Sequence, residues 1–284
     1  MPAIPSPYSA LLHHASLEDE EPWLFRSEGL DWRWHTWGDL ARQAAAWASH
    51  LAGRPPGSRV EFPYRPSPES IVLDLGIQGA GLVAAPISGE SVPEPEVPRP
   101  RPSSPRPSSP APSQPPSPGE EGEQPDRPST GGAVVLIEGA SVELSSAEMM
   151  AMAERVQAEI APARRAGERE IVVLGGALET PEERAMLSWA TVTGAAVALE
   201  PAPELRIATA AWVRPTVFHG TAEEIAMLRR WAETKKKRGL PFGRLRTVLV
   251  AGGELGEEEA FWQGSGVRVG RVPSLAAQRH KHGI

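Results

Sequence analysis

The chain has 284 residues, is 40% hydrophobic and 23% charged, and carries a net charge of −7 with no cysteine. That size allows one large or two small domains. The composition excludes disulfides, cysteine-ligated zinc, a cysteine nucleophile and a broadly basic surface for nucleic acid, and it fits a reducing, cytoplasmic setting.

In chain order, "MPAIPSPYSALLHHASLEDEEPW" has neither the basic start nor the apolar core of a signal peptide. No run of 18 uncharged apolar residues follows anywhere, so no membrane span is expected. "TWGDLARQAAAWASHLAG" reads as an amphipathic helix capped by Thr36 and stopped by Gly53, with Trp37, Leu40, Ala44, Trp47 and Leu51 at helical spacing. "SRVEFPY" reads as a strand. "SPESIVLDLGIQGAG" is a helix opened by Ser67 and Pro68, and "LVAAPI" is a second strand.

Glu90 to Ser129 is almost entirely Pro, Ser, Glu, Arg and Gly. So little apolar surface cannot offset the entropy of ordering, and the block reads as a disordered, partly extended linker. It divides the chain into 1–89, 90–130 and 131–284. Its PxxP-like spacing also suits a ligand for an SH3-type domain, beside the plainer role of spacer.

The alternation then resumes. "AVVLI", "EIVVLGG", "AAVALEP", "PTVFHG", "LRTVLVAGG" and "VRVGRV" read as strands. Between them lie five helical segments. They are "SSAEMMAMAERVQAEI" with a Ser145–Glu148 capping box, "TPEERAMLSWATVTG" capped by Thr180, "PELRIATAAWV", "TAEEIAMLRRWAETKKKRG" and "ELGEEEAFWQG". Strands alternating with helices indicate an α/β fold with parallel-rich sheets and flanking helices.

Ligands of such sheets bind outside the carboxyl ends of the strands. Ser129, Thr130, Gly131 and Gly132 precede one strand, and a Gly-rich loop lets backbone N–H groups approach a phosphate. No lysine follows them, and they lead into a strand rather than onto a helix. A phosphate loop, its remnant and a linker end all stay open. Gly252, Gly253 and Glu254 end another strand, either as a turn that a ligand approaches closely or as an ordinary strand-to-helix turn. Phe218, His219 and Gly220 form either a pocket wall or a stretch with a structural histidine. His13 and His14 lie near an expected flexible end, and no metal site is expected. Only four of the 29 basic residues are lysines, Lys235, Lys236, Lys237 and Lys281. The run of three reads as a solvated helix end.

The order of segments resembles the N-terminal domain of the adenylate-forming superfamily, in particular long-chain acyl-CoA synthetases. "WRWHTWGDLARQAAAWASHLAGRPPGSRVEF", "SPESIVLDLGIQGAGLVAAPI", "EERAMLSWATVTGAAVALEP", "VRPTVFHGTAEEIAMLRR" and "LRTVLVAGGELGEEEAFWQGSGVRVGRV" are each similar to a family segment. The resemblance implies ATP or AMP, magnesium and coenzyme A as cofactors, activation of a carboxylate such as a fatty acid, and thioester formation. It also implies Gly252–Gly253–Glu254 on the adenine side and Phe218, His219 and Gly220 on the acyl pocket. The family's Lys-ending phosphate loop is reduced to Ser129–Gly132. Its "Y-G-x-T-E" position reads Val272-Pro273-Ser274-Leu275-Ala276. Of "H-x-x-E-R", Thr180 replaces the His while Glu183 and Arg184 remain. The expectation is therefore a truncated, degenerate pseudoenzyme with no catalytic residues. Either it binds an acyl chain or nucleotide as a regulator or scaffold, or a separate C-terminal ligase domain or carrier protein partners it. A single continuous sheet holding Val60, Val83, Val135, Val173 and Val248 is the arrangement this resemblance is expected to need.

Overall fold

A computed structural model describes residues 6–28, 31–87, 131–137, 139–235 and 243–272. The chain opens with α1 (Pro7–Leu17), whose N-cap Ser6 accepts the Ser9 N–H while Pro7 fills the first helical position. An antiparallel hairpin follows, β1 (Pro22–Glu28) and β2 (Asp31–Thr36). Thr36 ends β2 and caps α2 (Trp37–Leu51) by accepting the Asp39 N–H. Next come β3 (Arg59–Pro63), α3 (Pro68–Gly79) and β4 (Val83–Ile87). After the proline-rich stretch lie β5 (Gly132–Ile137), β6 (Ala140–Ser145) and α4 (Ser146–Ile160), which starts on the reciprocal Ser145–Glu148 capping box. The remainder alternates: β7 (Ile171–Leu174), α5 (Pro181–Thr193), β8 (Ala196–Leu199), α6 (Pro203–Val213), β9 (Val217–Gly220), α7 (Ala222–Lys235), β10 (Thr247–Val250), α8 (Glu257–Gly264) and β11 (Arg268–Arg271).

These strands build two sheets, not one. A seven-stranded sheet has the order β11-β10-β9-β7-β8-β1-β2, and a four-stranded sheet the order β3-β4-β5-β6. Val173 and Val248 lie in the first, and Val60, Val83 and Val135 in the second. The expected single sheet is thus corrected. Each sheet is parallel except at one end, where the β1–β2 and β5–β6 hairpins are antiparallel. Strands from both sides of the proline-rich stretch share each sheet: β1 pairs with β8, and β4 with β5.

Strand alternation explains the uninterrupted apolar runs. Val172, Val217 and Leu249 join a core that also contains Val60, Val135 and Leu144 of the smaller sheet. Their neighbours Val173, Phe218 and Val248 enter a second core under α6, α7 and α8. A strand buried on both faces loses the polar–apolar alternation. Burying a side chain such as Phe218 contributes about 1.5–3 kcal/mol. His14 belongs to this packing rather than to a flexible end. Its ring stacks on Trp37 at 4.6 Å, and Trp37 stacks on Trp23 at 4.5 Å.

Candidate functional site

The carboxyl edge of the seven-stranded sheet gathers a buried ionic cluster. Glu183 comes from the first turn of α5, Arg206 from α6, His219 from β9 and Glu224 from the first turn of α7. Arg206 donates Nη2–H to Glu183 Oε1 (2.9 Å) and Nη1–H to Glu224 Oε1 (2.7 Å). Its Nε–H points to the Glu200 carbonyl at 3.3 Å. Both carboxylates also hold the loops that leave the strands. Glu183 accepts the Gly175 and Gly176 N–H groups, and Glu224 accepts the Thr221 N–H in a reciprocal capping box.

Glycine makes this cluster possible. A Cβ on Gly175 would lie 2.0 Å from Arg206 Nη2, and one on Gly220 would lie 2.9 Å from Glu224 Oε2. Gly220 therefore backs the cluster. His219 is 2% exposed, and its Nδ1 lies 3.3 Å from Glu183 Oε1 without the alignment of a hydrogen bond. Burial, the largest influence, pushes the Glu183 carboxyl up. The His219 ring, the Arg206 guanidinium and the Gly176 N–H together outweigh it and hold the carboxyl at about 2.

A second buried pair lies between α3 and α5. Arg184 donates to both Asp74 oxygens at 2.9 and 3.0 Å, and Gln78 donates to Asp74 Oδ2 at 2.6 Å. Beside it the Tyr64 phenol, pushed up by burial, sits near the Leu178 carbonyl.

The sequence-nominated residues fall in three places. Gly252 and Gly253 form an exposed turn with φ of +70° and +72°, conformations that favour glycine. A Cβ on Gly252 would meet nothing within 4 Å, and Glu254 is exposed. The Ala251 N–H donates to Gly220 O, setting this turn beside the end of β9. Phe218 is fully buried in the second core, so its ring packs among Ile225, Leu228 and Val248. Gly131 and Gly132 are buried at the amino end of β5. A Cβ would lie 2.3 Å from Gln78 O at the first and 2.5 Å from Leu144 O at the second. Gly132 N–H donates to Leu82 O, and Gly131 O accepts from Ser146. Ser129 and Thr130, like Ser274, Leu275 and Ala276, lie outside the described residues. The structure thus joins Gly220 and His219 to the Gly252 turn, while Gly131 and Gly132 belong to the other sheet.

Asp74, Glu200, Arg206 and Glu224 had no place among the nominated residues. Thr221-x-x-Glu224 carried a readable capping-box signal; Arg206 looks like any helix-surface arginine.

No protein-family model matches the sequence, and no curated protein matches it. Solved structures do match its shape. The chain is similar to the nonribosomal peptide synthetase FmoA3 in its AMPPNP-bound form, with a TM-score of 0.71 and 17% identity over 96% of this chain and 32% of that one. It is similar to the inhibitor-bound N-terminal domain of FACL13 from Mycobacterium tuberculosis, with a TM-score of 0.68 and 12% identity over 95% and 76%. It is also similar to the fatty acyl-adenylate ligase from L. pneumophila in complex with acyl adenylate and pyrophosphate, with a TM-score of 0.66 and 12% identity over 93% and 53%. The chain has the fold of the adenylate-forming enzymes. It spans about a third of the synthetase's length and about half of the L. pneumophila ligase's. Among the described residues of this adenylate-forming fold, no helix is long and apolar enough to cross a membrane.

Proposed function

We propose that this chain is an acyl-CoA-synthetase-like domain that does not by itself catalyse ATP-dependent adenylation of a carboxylate. The observation that carries the reading is the packing of Gly131 and Gly132. Both are pressed against backbone carbonyls at the amino end of β5, and Gly132 spends its N–H on Leu82 O rather than on a ligand. Among the described residues nominated for a nucleotide, Gly131, Gly132, Gly252, Gly253 and Glu254 offer a triphosphate no cationic side chain. Among the described residues, the buried Arg184 and Arg206 are committed to carboxylates. The chain's lysines begin only at Lys235. Leaving-group charge without preorganised donors raises the barrier, since losing a single such donor costs on the order of a hundredfold in rate. The test is pyrophosphate–ATP exchange with the purified chain and a panel of fatty acids. No exchange above a heat-inactivated control is expected; carboxylate-dependent exchange overturns the reading.

A second reading, binding without chemistry, is favoured by the open Gly252–Gly253–Glu254 turn, whose glycines leave backbone room for a flat ring. Calorimetry with AMP, ATP and a fatty acid tests it. Heat from AMP that is lost in Gly252→Val supports it, and no heat from any of the three ends it. Any separate chain that completes a ligase with this one is a further part of the proposal, and co-purification of such a chain would support it.

A further inference from the structure

The hairpin at the free edge of the seven-stranded sheet carries aromatic surface that the cluster above does not use. An open groove of about 360 Å³ is lined by Asp31, Trp32, Arg33 and Trp34. Trp32 and Trp34 are two residues apart on β2 and so share a face. Trp34 is 60% exposed. Trp212 of α6 is 59% exposed, and it extends that face by stacking on Trp32 at 4.6 Å with the rings 3° from parallel. Phe25 meets Trp34 edge-on at 6.3 Å. Indoles gathered at a surface mark a place for a partner.

We propose that this groove binds the chain's own proline-rich block, Pro98 to Pro110, within the same molecule. The sequence "RPSSPRPSSP", Arg101 to Pro110, is one five-residue unit written twice. Pro102 and Pro105, like Pro107 and Pro110, are three apart in sequence, the period of a polyproline helix. Such a segment loses little entropy on binding, and its pyrrolidine rings pack on aromatic faces. Arg101 or Arg106 can pair with the exposed Asp31 carboxylate, while Arg33 on the same groove leaves its charge balanced, so the aromatic faces carry most of the recognition. Reach is not limiting. The block lies between Ile87 and Gly131, and an extended proline-rich chain of that length spans on the order of 120 Å. A compact protein of this size has a radius of gyration of about 19 Å. Tethering sets an effective concentration in the millimolar range, so modest intrinsic affinity fills the groove.

The test uses the full chain and its nine tryptophans. Indole ¹⁵N–¹H spectra are compared with those of a variant carrying Pro102→Ser, Pro105→Ser, Pro107→Ser and Pro110→Ser, with Trp34→Phe and Trp212→Phe for assignment. The Trp32, Trp34 and Trp212 resonances should shift, while those of the buried Trp23, Trp37, Trp189 and Trp262 stay in place. A synthetic peptide of residues 98–110, added to the proline variant, should return them to their wild-type positions. Unmoved surface indoles overturn the proposal. So does a shift that fades on dilution, which assigns the occupant to a second copy of the chain.

Discussion

Arg184 and Arg206 are both almost wholly buried, yet Arg184 meets one carboxylate and Arg206 meets two. The Arg184–Asp74 pair is neutral, bidentate and completed by Gln78. It joins two helices, and Arg184 Nε–H also donates to the Leu178 carbonyl of the β7–α5 loop at 3.0 Å. The Arg206 cluster holds an excess of negative charge, offset by backbone N–H groups of the strand-exit loops and by the His219 ring beside Glu183. Both groups reach the β7–α5 loop, so what separates them is charge balance: one cation for one carboxylate against one cation for two. Buried carboxylates that brace the sheet's carboxyl edge make that edge sensitive to whatever alters their charge.

Substitution separates the two regions. Arg206→Met leaves two buried carboxylates without their cation, and it should cost about 3–5 kcal/mol or more. Arg184→Met leaves one and should sit at the lower end of that range. The double variant Arg184→Met/Asp74→Leu should recover most of the loss, because a packed apolar pair replaces an ion pair at little net cost. No equivalent rescue exists for Arg206 without replacing two glutamates. Urea unfolding of the four proteins orders these effects, and equal losses for the two arginines would erase the distinction.

Acid sharpens the contrast next. Glu183 is held at about 2 in the folded chain against an ordinary value of 4.5. A depressed carboxyl stabilises the fold above its unfolded value, and that stability is lost as pH falls from about 4.5 towards 2. The full effect is about 3 kcal/mol. The difference in melting temperature between the wild type and Glu183→Gln should therefore narrow steadily across that window. A constant difference would show that Glu183 acts only through packing.

The smallest expected effects come from two glycines. Gly175→Ala drives a methyl into the Arg206 guanidinium and should cost about 1–3 kcal/mol. Gly252→Ala meets open space and retains only the strain of a left-handed residue, about 1–2 kcal/mol. Denaturant midpoints rank the two. If Gly252→Ala proves the more damaging, its turn is more tightly held than its exposure indicates.

What the sequence made legible was local. The caps at Thr36, Ser67, Ser145 and Thr180 each bond a backbone N–H three residues on, so the signal lies within one turn. The Ser6–Pro7 start of α1 carries the same signal as Ser67–Pro68 and was readable. So was the Trp32-Arg33-Trp34-His35 alternation of β2, although mixed charges and aromatics obscure its apolar face. Strand pairing was not readable, because periodicity reveals a strand but not its neighbour. The α/β class therefore followed from the alternation, while the split into two sheets did not. The cluster was hidden for a related reason. Arg206 lies 23 residues from Glu183 and 18 from Glu224, and only packing brings them together. Of the nominated residues, Gly252 and Gly253 did end a strand in a turn that needs glycine. Gly131 and Gly132 have a packing reason that a sequence motif cannot distinguish from a phosphate loop.

The interleaving of the two sheets has a consequence for how this chain tolerates change. The hairpin β1–β2 precedes the proline-rich stretch yet lies beside β8, and β5–β6 follow it yet complete the sheet begun by β3 and β4. The polypeptide on either side is thus stitched to the other by hydrogen-bonded strands and by Asp74–Arg184. The two flanks are therefore held by their paired strands and by Asp74–Arg184, not by the length of the connection between them. A protease nick within it should leave two fragments that co-elute as one folded particle.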